Sequence, residues 1–386
     1  MTEWIECTLD KLGEIVGGAT PSTKCEDYYG GSIPWITPKD LSSFKGRYIT
    51  SGERNITEKG LASCSAQMMP KDAVLFTSRA PIGYVAIASQ SVCTNQGFKS
   101  IVVNDKADPL FVYYLLKYNK DAIEAMGSGT TFKEVSGKTM RAVKVRIPLD
   151  VSYQKRIAAV LDSLDTKIEN SERINDNLQQ QAAALFSSLY DRTNTEVRFT
   201  DLIQILGGGT PKTGENTYWN GNIAFFTPKD VGTPYTLSTE KTITEEGLSH
   251  CNSRLYPVNT VFVTARGTVG KVGMSGVPMA MNQSCYALVG KETHQLLVYF
   301  YTLKTVDRLK HKASGAVFDA ITTRDFESEQ IMKLSDEDAK SFLCIAAPMF
   351  QKVLDNGIEN QRLSTLRDSL LPKLMSGAVS YTHLTL

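Results

Sequence analysis

One long stretch near the middle of the chain has the apolar spacing of a helix. Between Val151 and Tyr190 the sequence contains no proline and no glycine. Apolar residues recur there at three- and four-residue steps, a heptad-like seam that lets one helix lie along another. The seam residues are Ile157, Leu161, Leu164, Ile168, Leu178, Ala182, Leu185 and Leu189. The pattern predicts a single helix roughly 55–60 Å long, which suits a spacer better than an ordinary globular helix.

Two polar residues, Ser171 and Asn175, occupy the seam positions in the middle of this stretch. A polar layer at such positions can fix the register of a helix pair at some cost in stability. A solvent-exposed break in the seam would explain the same residues equally well.

Before this helix, the apolar pattern predicts a mixed domain of short strands and helices. Each apolar run is bounded by turn residues, as in a sheet of short strands. A helical run over residues 110–126 ends at the loop Gly127-Ser128-Gly129-Thr130. The predicted strands cover residues 73–77, 83–88, 99–103 and 143–148.

The second half of the chain repeats the first. Thr20 and Thr210 lie 190 residues apart, whereas Arg79 and Arg266 lie 187 residues apart. A single loop deletion would produce this small slip. The repeated segments are Gly18-Ala19-Thr20-Pro21 with Gly208-Gly209-Thr210-Pro211, Thr37-Pro38-Lys39-Asp40 with Thr227-Pro228-Lys229-Asp230, Thr77-Ser78-Arg79 with Thr264-Ala265-Arg266, and Asn95-Gln96 with Asn282-Gln283.

The long helix is repeated as well, since Leu354 and Ile358 of a second helical stretch follow the pattern of the first. This stretch should begin near residue 336, and Pro372 should end it or kink it. The duplication predicts an α+β chain in the order globule, helix, globule, helix, with the two helices packed antiparallel as a coiled coil. The predicted segments are a mixed α/β domain at 1–150, a central spacer helix at 151–190, a second mixed α/β domain at 191–335, a C-terminal spacer helix at 336–379, and a tail outside the fold at 380–386.

Composition adds little to this picture. The chain has 386 residues, of which 42% are hydrophobic and 22% charged, and a net charge of +1. A nearly neutral total neither requires nor excludes a nucleic-acid partner, because a local basic face can exist within it. No leader segment or 18-residue apolar run is apparent, so no membrane association is expected. The seven scattered cysteines form no C-x-x-C pair and are expected to be reduced thiols in a cytoplasmic protein.

A search for catalytic or metal-binding motifs finds none. The chain lacks the Pro-Pro turn with which an amino-methyltransferase holds its target amine. Gly137-Lys138-Thr139 imitates the end of a phosphate-binding loop, but Phe132 stands where the first glycine is required. The four histidines are isolated, without metal-ligand spacing. The residues therefore predict no cofactor or metal bound by this chain.

The polar residues that recur in both halves are the candidates for binding. Arg79 and Arg266 follow β-type runs, where a guanidinium can bind a phosphate or the edge of guanine. Gln96 and Gln283 carry amides that can pair with adenine. Internal ion pairs and amide–backbone hydrogen bonds are the structural alternatives for these side chains.

Other candidates are less specific. Lys39 and Lys229 lie beside proline-containing turns, and a turn capped by the following aspartate is the structural alternative for them. Loops around Ser128, Thr130 and Ser314 could approach a phosphate through their backbone. A basic cluster in a helical run is explained either by a solvated helix face or by phosphate contact. That cluster comprises Lys304, Arg308, Lys310 and Lys312.

The order of several segments carries a family resemblance. They are Gly18-Ala19-Thr20-Pro21, Ile33-Pro34-Trp35-Ile36-Thr37, Leu75 to Arg79, Asn95-Gln96-Gly97, Ile147-Pro148, Gln154-Lys155-Arg156-Ile157, and the ending Leu366 to Gly377. In this order and duplication the chain resembles the specificity subunit of a type I restriction-modification system. The second half departs from the pattern by having Ile331-Met332-Lys333-Leu334 instead of Ile-Pro before its helix.

The resemblance implies two target-recognition domains held apart by two antiparallel helices. Each domain would read one half of a split, asymmetric sequence in double-stranded DNA. The repeated polar residues and loops are then the predicted DNA-binding residues: Lys39, Arg79, Gln96, Ser128, Thr130, Lys229, Arg266, Gln283 and Ser314. The helix-pair seam or partner-binding residues are Ile157, Leu161, Leu164, Ile168, Leu178, Leu185, Leu354 and Ile358.

The resemblance also implies protein partners. Two methyltransferase (modification) subunits would dock on the helices, and restriction subunits with motor and nuclease activity would join them. S-adenosylmethionine, ATP and Mg²⁺ would then belong to those partners, and this chain would be a non-catalytic subunit of a DNA adenine methyltransferase/endonuclease complex.

Two alternatives remain open on the sequence. The chain could be a stand-alone DNA-modifying enzyme with an unrecognised active site, or a helical scaffold that binds no DNA. Methyl transfer to plasmid DNA by the chain alone would favour the enzyme.

If the helix pair acts as a ruler, inserting one or two turns into both helices should lengthen the gap between the two halves of the DNA target. The sequences of the halves should stay the same, because helix length changes only the distance between readers. Methylome sequencing of a host carrying the variant measures both properties. Altered half-site sequences with an unchanged gap would contradict the ruler.

Overall fold

The computed structural model describes residues 3–79, 81–129, 133–232, 234–312 and 320–379. The chain divides into two compact units. Unit 1 comprises Met1–Glu169 and Arg362–Leu386, and unit 2 comprises Asn170–Gln361. Each unit therefore contains one sheet domain and part of each long helix, whereas the segments predicted from the sequence follow the chain. The predicted tail at 380–386 lies outside the described residues.

Domain 1 is the part of the chain that precedes the first long helix. Its described strands are β1 (Trp4–Thr8), β2 (Gly13–Gly17), β3 (Tyr29–Ile36), β4 (Tyr48–Ile49), β5 (Arg54–Ile56), β6 (Val74–Ser78), β7 (Ile82–Ala88), β8 (Cys93–Thr94), β9 (Lys99–Val103) and β10 (Lys144–Pro148). These described strands form three small sheets, with the strand orders β2-β9-β6-β7-β4, β5-β3-β8 and β1-β10. The helices are α1 (Pro38–Ser42), α2 (Glu58–Ala62), α3 (Pro109–Tyr118), α4 (Lys120–Ala125) and α5 (Gly137–Ala142), and α6 (Val151–Tyr190) follows.

The four predicted strands of domain 1 appear within one residue of their expected bounds, as β6, β7, β9 and β10. The single helix predicted over residues 110–126 was wrong, because two helices, α3 and α4, occupy that stretch. Asn119 separates them, and its side-chain amide donates to the carbonyl of Leu115 at 2.8 Å. An asparagine that satisfies a helix-terminal carbonyl in this way favours a break over a continuous helix.

Domain 2 repeats this architecture between the two long helices. Its strand orders are β12-β19-β16-β17-β14, β15-β13-β18 and β11-β20. The strands are β11 (Glu196–Arg198), β12 (Ile203–Gly207), β13 (Trp219–Phe226), β14 (Tyr235–Thr236), β15 (Lys241–Ile243), β16 (Val261–Thr264), β17 (Val272–Ser275), β18 (Met279–Met281), β19 (Cys285–Gly290) and β20 (Gln330–Met332). The helices are α7 (Phe199–Leu202), α8 (Glu245–Ser249), α9 (Gln295–Lys312) and α10 (Thr323–Ser328), and α11 (Asp336–Met375) follows.

The predicted duplication and α+β class are therefore confirmed. Equivalent strands pair in equivalent register: Gly17 faces Lys99 in domain 1, and Gly207 faces Tyr286 in domain 2. The departure before the second helix changes nothing in the topology, since β20 pairs with β11 as β10 pairs with β1.

In unit 1 the first part of α6 packs into the core of domain 1. Ile157, Leu161 and Leu164 are buried in one cluster with α3 residues such as Phe111. Leu374 from the end of α11 belongs to the same cluster. These seam residues therefore lie inside the unit, where an apolar side chain contributes about 1.5–3 kcal/mol by burial.

A buried arginine also joins domain 1 to α6. The side chain of Arg47 is only 5% exposed. Its guanidinium donates to Glu169 at 3.1 Å and to Thr166 at 2.8 Å, and it forms an ion pair with Asp162. The three acceptors lie at three- and four-residue steps and so share one face of α6. Burial lowers the pKa of Arg47, but the hydrogen bond to Glu169 and the nearby charges of Asp162 and Glu169 together outweigh burial and raise the pKa above the usual value.

A second polar contact in unit 1 links both long helices to α3. Asp165 of α6 accepts a hydrogen bond from the hydroxyl of Tyr114 at 2.8 Å and pairs with Arg367 of α11 at 2.7 Å. Burial, reinforced by the carboxylate of Asp165, raises the pKa of Tyr114, which keeps its hydroxyl protonated as the donor.

In unit 2 the corresponding contact is aromatic. The ring of Phe186 on α6 stacks on Phe300 at 4.9 Å and meets Phe342 of α11 edge-on at 5.5 Å. Nearer the start of α6, Asn175 accepts a hydrogen bond from Asn356 at 2.7 Å. Residues later on α6 thus meet residues earlier on α11, so the helices run antiparallel in this unit. Asn175 belongs to a polar layer between them, as one of the two sequence interpretations predicted.

The remaining seam residues differ in burial. Leu354 is 6% exposed. Ile168 packs against the core of unit 1, and Leu185 packs against the core of unit 2. Leu178 and Ile358 are half-buried.

Of the two outcomes that the sequence predicts for Pro372, an end of the second helix at this residue is excluded. α11 continues through Pro372 to Met375. A proline removes one N–H donor, but its carbonyl can still accept, and that of Pro372 receives the N–H of Ser376 at 3.0 Å. The helix ends just before Gly377, whose φ of +74° lies in the left-handed region typical of a C-terminal cap.

All seven cysteines are unpaired thiols. Burial raises the pKa of Cys93 and of Cys285 to about 12. Within the described ranges, no helix is both long enough and apolar enough to cross a membrane.

Replacing the buried arginine should destabilise unit 1. We expect Arg47→Ala to lower the free energy of unfolding by about 2–3 kcal/mol, because Asp162 and Glu169 lose their common partner. Both acids retain some exposure, 34% and 19%, which keeps the loss below that of a fully buried pair. Denaturant unfolding followed by tryptophan fluorescence measures the change.

Lys144→Ala is the matched control, because Lys144 forms an ion pair with Glu6 in the same domain while remaining 74% exposed. Its loss should change stability by less than about 1 kcal/mol. Equal effects of the two substitutions would show that the Arg47 contacts do not stabilise the unit.

Candidate nucleic-acid interface

The repeated polar residues of domain 1 gather where several strands begin or end. β6 ends beside the start of β9, through the bridge between Thr77 and Phe98. β3 and β8 run parallel and end together, with Ile36 beside Thr94. The loops that leave these strand ends carry the candidate side chains. We call this set the polar edge of domain 1: Thr20, Lys39, Arg79, Gln96, Ser128 and Glu134.

Domain 2 builds the same edge from equivalent strands. β13 and β18 end together, with Phe226 beside Met281. The N–H of Ala265, just after β16, donates to the carbonyl of Ser284 at 2.8 Å. The polar edge of domain 2 comprises Thr210, Lys229, Arg266 and Gln283.

The glutamines occupy the same position in both edges. The hydroxyl of Thr20 donates to the side-chain oxygen of Gln96, and that of Thr210 donates to the side-chain oxygen of Gln283. Both glutamines are exposed. Because the oxygen already accepts a hydrogen bond, the NH₂ group is the part left to donate to a ligand.

A close backbone approach makes this contact possible. A Cβ atom on Gly18 would lie 2.1 Å from the carbonyl oxygen of Asn95, and one on Gly208 would lie 2.2 Å from that of Asn282. Only glycine fits at these positions, which explains the repeated glycine before each threonine. Asn95 and Asn282 use their side chains on the backbone, accepting from Gly97 and Ser284.

The lysines lie within an aspartate-capped turn in both domains. Asp40 accepts from the N–H of Thr37 at 2.7 Å, and Asp230 accepts from the N–H of Thr227 at 2.8 Å. The turn holds each lysine outward: Lys39 is 79% exposed and Lys229 is 82% exposed. Their partners are equally exposed carboxylates, Glu53 at 2.7 Å and Glu240 at 4.0 Å. Exposed pairs of this kind contribute little and exchange readily for another anion.

The two arginines have different surroundings. Arg79 forms an ion pair with Glu134 at 3.6 Å, and Lys99 reaches the other oxygen of the same carboxylate at 3.5 Å. Arg266 is exposed and has no ion pair among the described residues. It lines a concavity of about 500 Å³ together with Lys229, Lys241 and Asn282.

The loop candidates are only partly described. Ser128 is exposed and exchanges two backbone hydrogen bonds with Glu134, at 3.0 and 2.9 Å. This pairing brings the loop beside Arg79. Thr130 and Ser314 lie outside the described residues.

Most of the basic cluster on α9 is engaged within domain 2 and its adjoining helix. Lys304 lies over the ring of Tyr190 at 5.3 Å. Arg308 donates to the carbonyl of Gln330 at 2.6 Å, and Lys312 pairs with Glu329. These contacts favour a structural role for three of the four residues.

The fourth residue, Lys310, packs against a glycine of domain 2, and Lys120 packs against the equivalent glycine of domain 1. A Cβ on Gly270 would lie 2.6 Å from Cε of Lys310, and one on Gly83 would lie 2.5 Å from Cγ of Lys120. Both glycines have positive φ values. Each lysine stem therefore crosses the hairpin that follows Arg79 or Arg266. Sequence comparison missed this pair because the two lysines come from helices of different length.

Each polar edge thus presents a guanidinium, an exposed ammonium and an outward amide donor on the ends of a rigid sheet. Such groups suit an anionic, hydrogen-bonding ligand, with phosphates as partners for the cations and base edges as partners for the arginine and amide.

Comparison with known proteins agrees with this chemistry. Residues 1–180 and 192–335 match the family model described as the type I restriction modification DNA specificity domain. The type I restriction enzyme MjaIX specificity subunit of Methanocaldococcus jannaschii is 30% identical over 411 residues, covering 99% of this chain and 95% of that protein. The HindI specificity subunit of Haemophilus influenzae is 22% identical, covering 73% of this chain and 80% of its own length.

A solved structure shows the same fold. The S subunit of a type I restriction-modification system from M. genitalium superposes with a TM-score of 0.64 at 17% identity, covering 97% of this chain and 96% of that one. The match of the family model over both domains, together with the MjaIX relative, confirms the resemblance found in the sequence. The chain belongs to the family of the type I restriction modification DNA specificity domain.

Proposed function

We infer that this chain is the DNA-reading subunit of a type I restriction-modification complex, and that each polar edge contacts one half of a split target in double-stranded DNA. The observation that carries this proposal is the duplication of the edge. Two domains with different sequences hold a threonine–glutamine pair, an exposed lysine and an arginine on equivalent strand ends. Family membership supports the same conclusion.

The positions of these residues favour phosphate contacts for some of them and base contacts for others. Lys39 and Lys229 extend into solvent from rigid turns, which suits contacts with phosphates that set the register on DNA. Arg79 and Arg266 can meet guanine through two donors, and the amide groups of Gln96 and Gln283 can donate to base acceptors. Ser128, with Thr130 and Ser314, would add phosphate contacts from the neighbouring loops.

The long helices supply surfaces for protein partners. Some apolar residues on them remain exposed: Ile174 is 48% exposed, Ile345 is 49% exposed and Leu366 is 41% exposed. We assign these exposed positions to docking of two methyltransferase subunits, which restriction subunits then join. S-adenosylmethionine, ATP and Mg²⁺ are assigned to those partners, and this chain supplies recognition and no catalysis.

Substitution of each arginine should affect one half of the DNA target. We expect Arg79→Ala to reduce methylation by the assembled complex about 5- to 100-fold, because a good base contact contributes about 1–3 kcal/mol of discrimination. Arg266→Ala should do the same for the other half. Methylome sequencing of hosts carrying each variant would show which base positions become relaxed.

Two arginines on the two-stranded sheets provide matched controls. Arg146 lies on β10 and Arg198 lies on β11. Arg146→Ala and Arg198→Ala remove the same charge and should leave target recognition unchanged. If Arg79→Ala and Arg266→Ala both leave methylation intact, the polar edges are not the reading surfaces. Methyl transfer by this chain without partners would instead identify an enzyme.

A further inference from the structure

The polar edge of domain 1 contains a carboxylate that domain 2 lacks at the equivalent position. Glu134 lies between two cations, with one oxygen 3.6 Å from Arg79 and the other 3.5 Å from Lys99. The side chain of Glu134 is 40% exposed, that of Arg79 is 34% exposed and that of Lys99 is 17% exposed. Arg79 is therefore accessible to a ligand, whereas Lys99 is mostly covered.

The backbone fixes Glu134 beside Arg79. Its N–H donates to Ser128 at 2.9 Å, and its carbonyl accepts from Ser128 at 3.0 Å. The next residue, Val135, donates to the carbonyl of Ser78 at 2.9 Å. The carboxylate thus stands on a hydrogen-bonded ladder next to the end of β6, the strand that Arg79 follows.

The same ladder locates the equivalent position in domain 2. Ile321 donates to the carbonyl of Ala265 at 3.0 Å, as Val135 donates to Ser78. Ala320 therefore corresponds to Glu134. Tyr286, which faces Gly207, corresponds to Lys99, which faces Gly17. In domain 2, uncharged residues thus replace both the carboxylate that pairs with Arg79 and the lysine that pairs with that carboxylate.

The fold does not require this ion pair. Separations near 3.5 Å at partly exposed groups contribute less than about 1 kcal/mol to stability. A carboxylate at a DNA-facing edge also repels phosphates, which weakens binding to any sequence. Glu134 can therefore be exchanged for an uncharged residue with little loss of folding stability, whereas its charge acts directly on an approaching phosphate.

We propose that Glu134 is a specificity-determining residue of domain 1, which competes with DNA phosphates for Arg79. Lys99 holds the carboxylate in place when Arg79 moves to DNA, so that the arginine returns to Glu134 when no base contact retains it. A non-target duplex then gains little from Arg79, whereas a target that engages the arginine with base acceptors overcomes the competition. This inference rests on the proposed DNA-reading function.

The test uses the full-length chain carrying Glu134→Gln, a change that keeps size and removes charge. Binding to a 40-base-pair duplex of random sequence is measured over a series of salt concentrations. We expect binding about 3- to 10-fold tighter than wild type, the range that about 1 kcal/mol of relieved competition produces. The slope of log affinity against log salt concentration should become steeper by about one, because one more cation neutralises a phosphate.

Two further variants show whether the tighter binding depends on the contact between Glu134 and Arg79. Glu6→Gln makes the same charge change at another ion pair of domain 1, where Glu6 lies 3.3 Å from Lys144. It should change binding less than about twofold. Glu134→Gln combined with Arg79→Ala should lose the gain, because the competition has no arginine left to release.

The proposal is overturned if Glu134→Gln binds the random duplex no more tightly than wild type, or if Glu6→Gln gives the same gain. It is also overturned if the gain survives the loss of Arg79. Failure of the proposed function would look different, since the wild-type chain would then bind no duplex, and loss of Arg79 and Arg266 would leave methylation unchanged.

Discussion

The attachment of domain 1 to the long helix depends on one buried arginine. The guanidinium of Arg47 is nearly inaccessible to water and donates hydrogen bonds to Asp162, Thr166 and Glu169 on a single face of α6. A buried cation without anionic partners is strongly unfavourable, so any shift of domain 1 along α6 that removes these partners is penalised. Because these hydrogen bonds are directional, they fix the position of domain 1 along α6 as well as strengthening its attachment. The hydroxyl of Tyr114 on Asp165 adds a second such contact in the same unit.

In unit 2, aromatic packing and an asparagine pair hold the long helices in place, instead of a buried arginine. Its aromatic cluster around Phe186 buries a large apolar area, but apolar burial is not directional and tolerates small shifts. Direction is supplied by the hydrogen bond between Asn356 and Asn175, since an asparagine moved out of register would leave a buried amide unsatisfied. The two sheet domains are copies in topology and differ in how they are attached to the helices.

The polar edges show how duplication and divergence combine. Backbone contacts are kept in both domains, including the glycine that lets Thr20 or Thr210 reach a glutamine. The charged side chains around the arginine have diverged, with Glu134 and Lys99 in one domain and Ala320 and Tyr286 in the other. A conserved framework with variable side chains is what two readers of different DNA sequences require, because framework geometry sets the approach and side chains set the preference.

The sequence by itself determined the duplication, the α+β class, the span of α6 and the equivalence of the repeated residues, because periodicity and self-similarity are properties of order along the chain. It did not predict that Asn119 divides a helix, and it left open whether Pro372 ends α11, since both outcomes depend on which carbonyls find donors locally. Only the tertiary structure decided that Glu134 lies between Arg79 and Lys99, and that three lysine and arginine side chains on α9 are engaged within the protein. Those contacts join residues far apart in sequence, and local patterns along the chain do not identify such neighbours.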